Sequence, residues 1–249
     1  MAKIKKFKEL FESETILTPE QKDFLDFGFK GKSRWILDGD GLVNSSYPFD
    51  ITGENMKDFM GIKFGSVDSY FNISNNLFTS LEGSPSKVRY TFRCNNNKLQ
   101  TLNGCPDEIG QNFDCSHNQI KTLMEGPKRV IGNYNCSHNL LKNLEGLPEF
   151  YFESLYFGNN EIVSLKGISD SVTNGCNGEN NPLSEEAIHT ILPIVMKSYS
   201  YEEALAEVWD KLDDEDKALL YPDLEMKLPQ EEIERLNIMS KYNKVKHML

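Results

Sequence analysis

The strongest constraint on this chain is an asparagine that returns every 21 residues, at Asn76, Asn97, Asn118, Asn139, Asn160 and Asn181. Other columns keep the same register. Nine residues before it stand Val67, Val88, Ile109, Val130, Tyr151 and Val172, and five before it Phe71, Phe92, Phe113, Tyr134, Leu155 and Cys176. Three before it come Ile73, Cys94, Cys115, Cys136, Phe157 and Gly178. Two after it come Phe78, Leu99, Ile120, Leu141, Ile162 and Leu183; five after it come Leu81, Leu102, Leu123, Leu144 and Leu165. Self-similarity at this period marks an array of stacked units. A unit this short cannot bury its own apolar side, so each coil must seal its neighbours in a solenoid.

Each unit can be read chemically. A run such as Phe113-Asp114-Cys115 alternates inward and outward side chains, predicting one short parallel strand per unit. The Asn ends the strand, where its amide can bond backbone groups that the turn leaves unpaired, so stacked copies form a ladder. Gly83 and Pro85, Gly104 and Pro106, and Gly146 and Pro148 turn the chain back. Little room is left for a helix, which predicts an extended or 3₁₀ return side.

The pattern apolar-x-apolar-x-x-Asn-x-apolar is that of a leucine-rich repeat. The segment FDCSHNQIKTLMEGPKRVIGNYNCSHNLLKNLEGLP further resembles tandem leucine-rich repeats encoded by large tailed bacteriophages, which read aromatic-x-Cys-Ser-x-Asn-x-Leu-x-x-Leu-x-Gly-x-Pro. Trp35 to Gly41, continuing to Phe64-Gly65, is similar to the cap preceding such arrays. The resemblance covers about residues 18–220. It implies an α/β repeat of the right-handed leucine-rich-repeat type, with short parallel strands on the concave face, an N-terminal helix and hairpin cap, and a C-terminal helical cap. It also implies a phage origin, and it brings no biochemical activity with it.

Four segments are expected: a leader and capping helix over 1–34, a β cap over 35–66, about six repeat units over 67–183, and a helical cap over 184–249. Thr18-Pro19-Glu20-Gln21 is a capping box with Pro at the first helical position, opening a helix to about Phe27. Asp38-Gly39-Asp40-Gly41 reads as a hairpin turn. Gly175-Cys176-Asn177-Gly178-Glu179 lacks bulky strand residues and is expected to begin the C-terminal cap. Ser184 caps a helix carrying Ile188, Ile191, Leu192 and Val195. A second helix is predicted over Tyr201–Leu212 and a third from Gln230 to about Lys244.

Charge narrows the partners. Lys and Arg total 27 against 38 Asp and Glu, a net charge of −11. The three stretches 1–34, 35–181 and 182–249 carry +2, −6 and −7. Such a chain repels phosphate, so nucleic acid and anionic membrane surfaces are not expected partners. No apolar run approaches the roughly 20 residues that span a bilayer. The basic start has no apolar core of a signal peptide, and the cysteine count is odd, so reduced thiols in a host cytoplasm are expected.

Chemistry-bearing motifs are sparse. Cys115-Ser116-His117 and Cys136-Ser137-His138 could in principle offer four zinc ligands on adjacent coils. Column logic instead sends the sulfurs into the core and the imidazoles to the strand end, so core packing is the favoured reading. Gly31-Lys32-Ser33 hints at a phosphate loop, but Asp26 stands where such a loop needs Gly, and the segment follows a helix rather than a strand. Asp38-x-Asp40-Gly41 lacks the closing Glu of a calcium loop. Asp213-Asp214-Glu215-Asp216 reads as a solvated connection and helix start. No catalytic residue, cofactor site or metal site is assigned, and the expectation is a non-enzymatic chain with no cofactor, monomeric when free.

The concave face is then the expected binding surface for a host or phage protein. Its outward positions, four and six residues before each Asn, include Asn72, Arg93, Asp114, Asn135, Tyr156, Tyr70, Thr91, Asn112, Asn133 and Ser154; coil 6 contributes Asn177 and Gly175. Tyr and Arg anchor interfaces, and Asn and Thr bond adaptably. Adjacent Arg93 and Asp114 are expected to pair in the free protein. The competing expectation is a protein packaged in the virion head. There Lys5 to Glu12 resembles the head-targeting peptides of such phages, clipped after a triplet of the form Leu10-Phe11-Glu12.

Overall fold

The computed structural model describes residues 17–148, 152–168, 172–197, 200–224 and 227–246. The leader with Leu10-Phe11-Glu12 and the column member Tyr151 lie outside the described residues. Helix α1 (Pro19–Gly28) precedes β1 (Ile36–Leu37), β2 (Val43–Ser45), β3 (Phe49–Asp50), β4 (Phe64–Val67) and β5 (Phe71–Asn72). Then follow β6 (Lys87–Val88), β7 (Phe92–Arg93), β8 (Glu108–Ile109), β9 (Phe113–Asp114), β10 (Arg129–Val130) and β11 (Tyr134–Asn135). Longer strands β12 (Phe152–Tyr156) and β13 (Val172–Asn177) lead to α2 (Glu185–Val195), α3 (Tyr201–Val208), a 3₁₀ turn (Trp209–Lys211), α4 (Asp214–Leu224) and α5 (Gln230–Lys246).

The chain is a parallel-strand β-solenoid. One sheet runs β1-β2-β4-β6-β8-β10 and the other β13-β12-β11-β9-β7-β5-β3. Pairing steps by one repeat, with Val88 opposite Ile109 and Phe92 opposite Phe113. The expectation of one strand per unit is therefore corrected. The apolar columns nine and five residues before the Asn each face inward on their own short strand, and a bend such as Arg89-Tyr90-Thr91 separates them. In the last coils the two strands merge into β12 and β13. Strands β2 and β3 already pair in parallel with β4 and β5, so residues 43–50 add one coil ahead of the expected array.

Inside, the column five before the Asn makes an aromatic spine. Ring centroids of Phe49 and Phe71, Phe71 and Phe92, and Phe92 and Phe113 lie 4.7, 5.7 and 6.0 Å apart, each pair stacked. Tyr134 meets Phe113 edge-on at 5.0 Å. The asparagine ladder forms as the columns predict. Asn118 Nδ2 donates to the carbonyls of Cys94, Cys115 and Ser116, and its Oδ1 accepts the Leu99 N–H at 3.0 Å. Each amide thus ties its own strand end to the coil before it. The residue preceding each Asn (Asn75, Asn96, His117, His138, Asn159 and Asn180) has φ between 52° and 57°. Asn and His are among the residues that tolerate this left-handed conformation best.

Helical segments contact the solenoid at either end. Helix α1 carries the expected capping box, with Gln21 N–H bonded to Thr18 Oγ1 and Thr18 N–H to Gln21 Oε1. Its Phe24 and the following Phe29 pack on Phe49 at 5.7 and 5.0 Å. At the other end the expectation for Gly175–Glu179 is corrected. Gly175, Cys176 and Asn177 pair with Ser154, Leu155 and Tyr156 as strand β13. A side chain at Gly178 would collide with the Phe157 ring and crowd Ile188 of α2, so the small residue makes room for the helix above. Asp216 of α4, buried, accepts from Ser184 N–H and Oγ at 3.0 and 2.6 Å. Asp223 accepts from Ser164 Oγ and Tyr201 Oη, which binds the helices to the solenoid. The helical region is richer than expected: Tyr201–Leu212 breaks into α3 and a 3₁₀ turn, and the acidic run opens the further helix α4. Among the described residues no helix is long and apolar enough to cross a membrane.

Candidate functional site

The outward positions of the strand side fall into two groups, and a hydrogen bond separates them. In coil 1 Asn72 Oδ1 accepts from the N–H of Ser74 at 3.1 Å and its hydroxyl at 2.7 Å. Coil 3 repeats this with Asp114 and Ser116, and coil 4 with Asn135 and Ser137, at the same distances. These side chains are folded back onto their own strand ends as small Asx turns. Coils 2, 5 and 6 lack the motif, having Arg93 with Asn95, Tyr156 with Gly158, and Asn177 with Glu179. There the outward residues Arg93, Tyr156 and Asn177 stay exposed.

Several expected contact residues therefore serve the fold. Asn72 and Thr91 are buried, at 9% and 7% exposure. Asn112 Oδ1 accepts the Asn133 N–H of the next coil at 2.9 Å. Tyr70, Asn112, Asp114, Asn133, Asn135 and Ser154 are half-buried. The expected Arg93–Asp114 pair does not form, because Asp114 is turned to Ser116. Among the described residues neither Arg93 nor Arg89 has an ion-pair partner.

Sequence reasoning overlooked the bend between the two strands. Tyr90 and Ile131 stand there, 41% and 49% exposed, and the Arg89 guanidinium lies 5.8 Å from the Tyr90 ring centroid. A charge ladder also runs outside the first sheet, with Lys87 to Glu108 at 2.7 Å and Lys128 to Asp107 at 2.8 Å. The signal was present in the columns ten and eleven before the Asn, where the sign alternates from coil to coil.

The Cys–Ser–His units separate as column logic predicts. Cys115 and Cys136 are fully buried, while His117 and His138 are exposed and stacked on each other at 4.0 Å. Among the described residues no group of three or more His, Cys, Asp or Glu is placed to hold a metal ion. The Asp38 carboxylate is spent on its turn, accepting from the N–H groups of Asp40 and Leu42 and from Asn44 Nδ2. The Leu42 bond foremost holds its pKa below the usual carboxylate range. The Gly31-Lys32-Ser33 segment is a helix exit, with Gly31 N–H bonded to the Asp26 carbonyl.

Burial pushes the thiols of Cys94, Cys115 and Cys136 well above their ordinary range and that of Cys176 up to about 12. At pH 8 the three buried thiols should react with a thiol reagent at least about a hundredfold more slowly in the native than in the unfolded protein, read by labelling and mass spectrometry. The same groups set an alkaline limit. Their folded pKa lies above the unfolded value of about 8.5, so the stability they lend is complete below that pH and is lost as pH rises toward the folded value. The melting temperature should fall steadily from about pH 9 upward; a flat profile to pH 11 would contradict this account of the core.

Neither a family model, nor a curated protein, nor a solved structure matches the chain. The geometry alone defines it as a parallel β-solenoid whose strand side presents exposed Arg and Tyr side chains from a rigid frame.

Proposed function

We propose that the protein is a non-enzymatic binding module, of the leucine-rich-repeat kind found in large tailed phages, that holds a host or phage protein on its strand side. One observation carries the reading. On a surface where the repeat ties outward side chains down, Arg93, Tyr156 and Asn177 are left exposed, with Tyr90 and Ile131 beside the same strands. Tyr and Arg are the residue types most enriched at interface hot spots. A solenoid also presents them without the ordering cost of a flexible loop.

The test is affinity capture from infected-cell and host lysates, followed by binding measurements on the recovered partner. Tyr156→Ala and Arg93→Ala should each weaken binding by about 1–3 kcal/mol with little change in melting temperature. Lys121→Ala and Lys142→Ala, exposed on the return side, should bind as the parent does. Normal binding by the first pair together with loss in the second would place the interface elsewhere.

A further inference from the structure

Coil 2 departs from the repeat at two linked positions. In coils 1, 3 and 4 an Asn or Asp side chain holds the N–H of the residue two places on. In coil 2 that side chain is Arg93, a donor, and the N–H it faces belongs to Asn95. Among the described residues no acceptor takes the Asn95 N–H. An N–H left without an acceptor is open to one that a ligand supplies. The surroundings do not supply the missing acceptor, since Asp114 on coil 3 is already bonded to Ser116. Coils 5 and 6 lack the motif as well, but coil 2 is where a cation stands in its place.

We propose that coil 2 is a subsite for carboxylates on an acidic segment of a partner protein. One carboxylate oxygen takes the place that the Asn or Asp oxygen fills in coils 1, 3 and 4, accepting the Asn95 N–H, and the same carboxylate pairs with the Arg93 guanidinium. Charge-assisted bonds of this kind are the stronger class, and arginine's planar fork matches a carboxylate. Arg89, held over Tyr90, takes a second carboxylate. Arg89 opens the bend after β6 and Arg93 ends β7, so both lie on the same coil. An acidic segment with more than one carboxylate, lying along the coil, therefore meets both.

A nucleic-acid strand fits less well. Asp68 on coil 1 and Glu108 and Asp114 on coil 3 flank the arginines, so a continuous polyanion would meet carboxylates on either side, and tight phosphate binding needs an unbroken cationic track. The subsite rests on the strand side being the binding surface, and it names the chemistry that surface selects.

The experiment uses the full ¹⁵N-labelled chain and a capped decamer of alternating Glu and Ser as probe. Saturable shifts are expected at the Asn95 amide and at the Nε–H groups of Arg93 and Arg89. Affinity should be at least about tenfold lower for the Gln–Ser decamer and for Arg93→Gln. Shifts at Asn95 that are absent, equal for the Gln decamer, or unchanged in Arg93→Gln overturn the proposal. So does inorganic phosphate acting as strongly at matched ionic strength. Saturable shifts at Tyr156 with none at Asn95 also overturn the subsite, yet leave the strand-side reading standing. A second variant guards against a folding artefact. Arg93→Asn combined with Asn95→Ser rebuilds the motif of the other coils, so it should raise the melting temperature by about 2–4 °C while losing the decamer. A lower melting temperature or retained binding counts against the assignment.

Discussion

Replacing Asn139 by Ala should lower stability by about 3 kcal/mol, a fall of roughly 6–12 °C in melting temperature. The amide is buried and makes four bonds. Its Nδ2 donates to the carbonyls of Cys115, Cys136 and Ser137, at 3.1, 3.1 and 3.2 Å. Its Oδ1 accepts the Ile120 N–H at 3.0 Å. The carbonyls are partly insured, because Asn118 also donates to Cys115, Asn160 to Cys136, and the His117 N–H to Ser137. Ile120 N–H has no second acceptor, and an unpaired buried N–H is the expensive part of the change. Asn139→Asp separates the two halves of the role. It keeps an oxygen for Ile120 but faces three carbonyls with a carboxylate, so its loss should equal or exceed that of Ala. Denaturant unfolding followed by far-ultraviolet circular dichroism measures both variants. An Asp variant as stable as the parent would mean that the ladder's donor side contributes little.

The ladder was legible because its requirement is local and repeats. Only a short side chain with both a donor and an acceptor can join two coils at a strand end, so one residue type recurs with no substitution from Asn76 to Asn181. The spine was legible for the same reason, since Phe71, Phe92 and Phe113 must all fill the same inward space. The second strand of each coil was harder to see. Its apolar column nine before the Asn was visible, but that it forms a separate strand depends on how closely the bend of one coil lies on the next. A side chain on Gly110 would collide with the backbone carbonyl of Arg89. The binding face was misjudged where one column was treated as uniform. Asn72, Asp114 and Asn135 share a column with Arg93 and Tyr156, but a Ser two residues on draws the first three back to the backbone. Whether an outward residue is available to a partner is thus decided by the residue two places after it. The C-terminal helical region was read incompletely because α4 has its apolar residues spread around its axis and a proline within it. Its position is set by Asp216 and Asp223 reaching other elements, contacts that no periodicity announces.

Gly146→Ala should be among the most damaging single-methyl changes in the solenoid, at about 3–5 kcal/mol. Two costs combine there. Gly146 has φ of +99°, outside the regions open to residues with a side chain. A Cβ would also lie inside contact distance of the Leu123 carbonyl and the Met124 nitrogen of the preceding coil. Those atoms are backbone and cannot rotate away, so coil 4 must separate from coil 3, which weakens the neighbour interface that supplies a solenoid's stability. Gly53 isolates the first cost. Its φ is +78°, but a Cβ there meets nothing within 4 Å, so Gly53→Ala should cost only the backbone strain, about 1–2 kcal/mol. Comparing the two variants by denaturant unfolding separates conformation from packing. Equal losses would show that coil-to-coil closeness adds nothing at Gly146. A larger loss at Gly146 makes this glycine, with Gly83, Gly104 and Gly167 at the same place in their coils, a point where one coil is pressed onto the next, holding Arg93 and Tyr156 at a constant spacing for whatever they bind.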